Sequence, residues 1–293
     1  MGVGEAGENP LVPNAKLRQM YTTMLEARTL EETLAKRLAV KGNRRRATIR
    51  GQEAVRASTA IDLGADDLVS DGAATGGMGV ILGGDAGSLL RGLSRAKEKS
   101  EKALRRAGVT RLLRSIEDAE ERLRLAVGAA LALKTQGRSG VVVAYAGRGE
   151  VSPAAWSRIL GAAAKFDLPV IFVVLPRAGA AKKGDETAEL CGVASKAGVP
   201  GMPVDACDAV ALYRVMQESL GRTRGGDGPV LVESVVWRPQ GKRGGADDPL
   251  EHLRESLLQR RICTPAWFDN ARKAASGKLR AKPSNRVKGT AGK

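Results

Sequence analysis

The chain predicts an α/β fold, a parallel sheet flanked by helices on both faces, and three observations carry that reading. Val141–Tyr145 (VVVAY) and Pro169–Leu175 (PVIFVVL) are short apolar runs rich in β-branched residues, with the length of buried strands. Between them lie a glycine turn, Gly147-Arg148-Gly149, and an Ala-rich helical stretch, Pro153–Lys165. Strand, turn, helix and strand in one short segment make a βαβ unit, whose right-handed crossover leaves the two strands parallel. The alternation then continues, with an approach to a strand at Val199–Val204, an amphipathic helix at Ala209–Arg222 and a buried strand at Val230–Trp237. Ligands of such sheets sit beyond the carboxyl ends of the strands. Here those ends are Gly147-Arg148-Gly149 and Pro176-Arg177.

The remaining elements follow in order. Residues 1–13 carry Gly and Pro with little periodicity and are expected to form a loose arm. Asn14 is placed to cap a helix over Ala15–Val40, with Leu17, Met20, Tyr21, Met24, Leu25 and Leu34 on its apolar stripe. Lys41–Arg50 gathers Arg44, Arg45, Arg46 and Arg50, either as a solvated loop or as an anion-binding one. Gly51–Leu63 predicts a second helix, and Asp66-Asp67-Leu68-Val69 leads into a short strand. Gly72–Gly84 is rich in Gly and Ala but lacks the following Lys-Ser/Thr of a phosphate loop, so its glycines predict close backbone packing. Ser94–Leu125 mixes both charge signs at helical spacing, with Glu117 and Glu121 on one face and Leu104, Leu112, Leu113, Ile116 and Leu123 on another. It predicts an amphipathic helical hairpin broken near Gly108. Asp185–Ala197 and Pro249–Arg261 predict helices, and Thr264-Pro265 starts one more. The organisation expected is therefore one domain over 14–270, followed by a basic tail over 271–293 without stable structure.

Composition narrows the chemistry. The 293 residues are enough to bury a large core, and the net charge of +16 is high. No leader pattern opens the chain and no long apolar run exists, which predicts a soluble, cytoplasmic protein. Cys191, Cys207 and Cys263 lack metal-ligand spacing and fit buried thiols in a reducing compartment. The single histidine, His252, excludes a histidine pair for proton transfer. Aromatic residues make up only 3%, which leaves no evident stacking platform for nucleic acid despite the charge.

Several motifs resemble one family in order along nearly the whole chain. Met20–Arg28 (MYTTMLEAR), Gly51-Gln52-Glu53-Ala54, Val127–Lys134 (VGAALALK), the central GRG…SRILGAAA…LPVIFVV, Val204–Val210 (VDACDAV), Gly228–Glu233 (GPVLVE) and Asp248-Pro249-Leu250 carry the likeness. They resemble the alpha subunit of the decarboxylating dehydrogenase component of 2-oxo acid dehydrogenase complexes. The resemblance implies a thiamine diphosphate-binding fold, oxidative decarboxylation of a 2-oxo acid, and assembly with a beta-type subunit into a heterotetramer, the alternative being a homodimer. It places cofactor binding at Gly147, Arg148, Gly149, Glu150 and Arg177.

The departures from that pattern bear on function. Arg148 and Arg177 stand where the family has oxygen ligands for the metal that holds the diphosphate. A guanidinium is cationic and has no acceptor, which argues against magnesium. The family's active-site histidine and Tyr-Arg-x-His positions fall on Ala47, Ala73, Ala74 and Gly76, and its loop histidine falls near Lys242. Three functions remain open. One is a structural or regulatory alpha-like subunit with lost or reduced catalysis. Another is an active subunit whose Arg148 and Arg177 grip the diphosphate directly. The third is a nucleic-acid or polyanion binder acting through the basic tail. In a collapsed site the two arginines would instead pair with acids such as Glu150 or Asp185.

Overall fold

A computed structural model describes residues 12–40, 48–72, 75–95, 100–176, 188–236 and 248–280. The elements run α1 (Asn14–Val40), α2 (Glu53–Ala60), β1 (Leu68–Ser70), α3 (Gly76–Ile81), α4 (Ala86–Leu93), α5 (Ser100–Arg106), α6 (Ala119–Thr135) and β2 (Val142–Gly147). They continue with α7 (Pro153–Lys165), β3 (Val170–Leu175), α8 (Glu189–Lys196), β4 (Gly201–Asp205), α9 (Ala209–Arg224), β5 (Val230–Val235), α10 (Pro249–Gln259) and α11 (Pro265–Arg280). The five strands form one sheet of order β1-β2-β3-β5-β4, and every neighbouring pair is parallel. The expected α/β class and the central βαβ unit are both present.

Strand periodicity divides the core into two layers. Val142, Ala144 and Ala146 of β2 and Val170, Phe172 and Val174 of β3 face α6, α7 and α8, where Trp156 meets Phe172 edge-on at 5.9 Å. Val143 and Tyr145, with Ile171 and Val173, point the other way, toward the larger core built with α1, α2, α9 and α10. Both sheet faces are therefore covered, as continuous apolar strands require. The stripe expected on α1 is buried throughout. Two close approaches are glycine-dependent. A Cβ on Gly140 would sit 2.2 Å from the Asp66 carbonyl oxygen, and one on Gly201 would sit 2.8 Å from the Cys191 Cα.

Two expectations need correction. Ser94–Leu125 is not a helical hairpin among the described residues. Gly108, at φ +93, ends the short α5, and the chain then runs extended, with Leu112 bridging Val69 of β1 in parallel. The Asp118 side chain next caps α6 by accepting from the Glu121 amide at 2.8 Å. The apolar residues at 109–113 obey a strand-edge demand that helical spacing alone could not reveal. Nor is all of 271–293 without structure. Residues 271–280 continue α11, because Ala275 is buried and Tyr21 packs against Trp267 and Phe268 at its start. Residues 281–293 lie outside the described residues, as do 1–11 of the expected arm, whereas Val12 is fully buried.

The buried polar groups are paired across elements. Arg56 of α2 forms a two-point ion pair with Asp71, just after β1, and stacks 5.1 Å from the Tyr145 ring centroid. The Tyr145 hydroxyl shares a 2.7 Å hydrogen bond with Thr59, and burial raises its pKa well above the usual phenol range. Asp71→Ala is expected to leave the Arg56 guanidinium buried without its carboxylate and to cost roughly 3–5 kcal/mol, measured by urea unfolding. Gly140→Ala, which drives a methyl into a backbone oxygen that has no room to yield, is expected to cost about 1–3 kcal/mol in the same assay.

Candidate functional site

The carboxyl edge of the sheet is built from the ends of β2, β3 and β5. The turn after β2 is closed locally. The Glu150 amide donates to the Gly147 carbonyl at 3.0 Å, the Gly147 amide donates to Glu150 Oε2 at 2.8 Å, and Gly149 takes φ +82, a conformation glycine adopts without strain. The Arg148 amide donates to the Leu175 carbonyl at 3.0 Å, which ties the turn to the end of β3. Ser152 then caps α7 by accepting from the Ala155 amide, with Pro153 in the first turn.

The side chain of Arg148 reaches over the end of β3 to β5. Its Nη2 lies 2.9 Å from Glu233 Oε1 and donates to the Ser234 carbonyl at 3.2 Å. Arg148 is 12% exposed at the side chain and Glu233 is 0% exposed. The other Glu233 oxygen accepts from the Cys191 amide, in the first turn of α8, at 2.7 Å. Burial and the adjacent Glu233 carboxylate together push the Cys191 thiol up to about 12, so it stays protonated near neutral pH. One carboxylate thus joins the turn after β2, the strand β5 and the start of α8.

Arg122 of α6 fills the neighbouring gap between β1 and β2. Its Nε donates to the Tyr145 carbonyl at 3.1 Å, its Nη1 donates to the carbonyls of Ile116 and Glu117 at 2.7 and 3.0 Å, and its Nη2 pairs with Glu150 Oε2 at 3.0 Å. A Cβ on Gly72 would lie 2.8 Å from that guanidinium, so the backbone after β1 abuts it directly. Gln52, at the start of α2, donates to the Pro176 carbonyl at 3.3 Å.

Of the five residues expected to form the site, Gly147, Arg148, Gly149 and Glu150 come together at this edge, and Arg177 lies outside the described residues. The expected pairing is corrected in its partners. Arg148 pairs with Glu233 of β5, while Glu150 serves Arg122 and the turn, and Asp185 lies outside the described residues. Ala47, Ala73, Ala74 and Lys242 also lie outside them, whereas Gly76 opens α3 with its backbone against Leu30 and Leu34. Sequence reading missed Glu233 and Arg122. A lone acid inside the apolar run VLVESVV was a usable signal for the first, since buried carboxylates are seldom left without a partner. Nothing in the mixed charges around Arg122 singled it out.

A divalent cation needs oxygen ligands that are available to it. Here the turn presents a guanidinium, Glu233 is engaged by Arg148 and the Cys191 amide, and Glu150 Oε2 is shared by Arg122 and the Gly147 amide. Among the described residues no group of three or more His, Cys, Asp or Glu could hold a metal ion. These residues do not fit a metal-bound diphosphate. No helix of the described residues is long and apolar enough to cross a membrane.

Comparison with known proteins agrees with the fold and the motif order. The chain is 37% identical over 140 residues to the 3-methyl-2-oxobutanoate dehydrogenase subunit alpha of Mycobacterium tuberculosis, covering 46% of this chain and 38% of that protein. It is 33% identical over 131 residues to the pyruvate dehydrogenase E1 component subunit alpha of Staphylococcus aureus, covering 43% of this chain and 35% of that protein. The chain thus spans less than half the length of these relatives. The model of the dehydrogenase E1 component, a thiamine diphosphate-dependent family, matches residues 21–261. That match takes in every strand of the sheet and the turn that carries Arg148, and by it the chain belongs to the dehydrogenase E1 component family, as an alpha-subunit-like member.

Proposed function

We propose that this chain is an alpha-like subunit in which thiamine diphosphate chemistry is lost or much reduced, and that it serves as a structural or regulatory partner of a second subunit. The ion pair of Arg148 with the fully buried Glu233 supports this reading most directly. It places a neutralised cation on the turn where the family pattern has a metal ligand. A direct grip on diphosphate by Arg148 would require the guanidinium to leave Glu233, stranding a carboxylate in the core. The proton-transfer histidines of the family pattern have no counterpart, because His252 on α10 is the only histidine in the chain.

The outward face of α6 and α7 supports the partner. Leu131 and Phe166 are 42% and 51% exposed, and Lys134 Nζ joins their neighbourhoods by donating to the Phe166 carbonyl at 2.7 Å. Gly128, Ala132, Ala154 and Ala162 are exposed on the same two helices, and Gly128 and Gly161 face open space. Small residues let another helical face approach closely, and the exposed apolar side chains give it something to bury. The relatives above are named as alpha subunits, so a beta-type subunit is the partner proposed.

Calorimetric titration of the purified chain with thiamine diphosphate, with and without magnesium, is expected to give no saturable heat. Tight binding only in the presence of magnesium would overturn the reading. Metal-independent binding abolished by Arg148→Ala would favour the direct grip instead. For the partner, Leu131→Glu combined with Ala162→Arg is expected to release this chain from a co-expressed beta-type subunit in size-exclusion light scattering. An unchanged complex would place the interface elsewhere, and a concentration-dependent dimer of the chain alone would indicate self-association.

A further inference from the structure

A second cleft lies at the same carboxyl edge but beyond β4, the outermost strand, three strand spacings or about 14 Å from β2. It has a volume of about 230 Å³ and lies between the β4–α9 turn and α10. On one wall, His252 and Ser256 of α10 and Arg260, which caps the carboxyl end of that helix, follow each other at four-residue steps and so share a helix face. The other wall is the turn Cys207-Asp208-Ala209-Val210. His252 Nδ1 lies 3.1 Å from the Cys207 carbonyl and donates to it, which fixes the ring and directs Nε2 away from that bond. Among the described residues the Ser256 hydroxyl and the Arg260 guanidinium make no hydrogen bond or ion pair.

The acids present are committed or set back. Asp208 Oδ1 caps α9 by accepting from the Val210 and Ala211 amides at 3.0 and 2.9 Å, which leaves Oδ2 as an acceptor. Asp205 Oδ1 accepts from the Cys207 amide at 2.8 Å, and its pKa is raised, chiefly by burial. The cleft therefore has a donor-rich end at Ser256 and Arg260 and a mixed end at His252 and Asp208. A guanidinium and a hydroxyl lining one end suit a phosphate, while an imidazole and a carboxylate lining the other suit hydroxyl groups. Across two helical turns, about 12 Å, a bare phosphate could not touch both ends.

We propose that this cleft binds a small hydroxylated phosphomonoester, with the phosphate on Ser256 and Arg260 and a hydroxyl between His252 and Asp208. The site is separate from the turn that carries Arg148 and does not depend on the proposed loss of cofactor chemistry. The test titrates the full chain, isotopically labelled, with glycerol 3-phosphate and separately with inorganic phosphate, following amide and imidazole resonances. Saturable shifts confined to Cys207–Val210 and the α10 face are expected with both probes, tighter for glycerol 3-phosphate. Arg260→Gln with Ser256→Ala is expected to weaken both probes roughly tenfold or more. His252→Asn is expected to weaken glycerol 3-phosphate alone, and its resonances report whether the fold is kept. Shifts spread over the basic surface and removed by salt, or equal affinity for both probes, would overturn the proposal.

Discussion

The pair of Arg148 with Glu233 is the interaction on which the functional edge of this sheet depends. It spans three strands, from the turn after β2, over the end of β3, to the interior of β5, and its carboxylate also holds the first turn of α8. Neither partner is tolerable alone. A buried carboxylate without its cation, or a guanidinium without its anion, faces a desolvation cost that the low-dielectric surroundings do not relieve. The two side chains therefore fix each other, and in doing so they set what the turn can offer a ligand.

The same arrangement recurs along the edge. Arg56 is neutralised by Asp71 behind β1, Arg122 by Glu150 between β1 and β2, and Arg148 by Glu233 across β3. Arg122 also donates to three backbone carbonyls, so its guanidinium works as internal scaffolding for the start of α6 and the end of β2. The resemblance in sequence placed an anionic cofactor at this edge. Here it is packed with cations that already have protein partners. Three arginines of a chain of net charge +16 thus stand at that edge, each with a carboxylate partner.

Much of the fold was legible from local pattern. The strands β2, β3 and β5 announced themselves as apolar β-branched runs, and α1 and α9 as amphipathic helices. Asn14, expected to cap α1, is instead its first residue and makes no capping bond through Oδ1, whereas Asp208 caps α9 without having been singled out. The glycines of α3 read correctly as close packing, since a Cβ on Gly77 would lie 2.5 Å from the Ile49 Cδ1. Leu112 and its neighbours did not read correctly, because their apolar spacing suits a helix and a strand edge equally well over so short a run. The end of α11 was also misread. Its basic residues look like a solvated tail, and only the burial of Phe268 and Ala275 against the rest of the domain gives that helix a reason to persist.

By itself the sequence determined the fold class, the central βαβ unit, and the presence of arginine where an oxygen ligand was expected, because periodicity and side-chain chemistry are local properties. Which acid meets which arginine was decided only in three dimensions. Glu150 lies two residues from Arg148, yet it turns to Arg122 and the Gly147 amide, while Glu233, 85 positions away, supplies the carboxylate. Parallel order puts β5 beside β3 and the alternation of β5 points Glu233 toward α8, so the pairing follows from sheet topology and register, which separation along the chain does not encode.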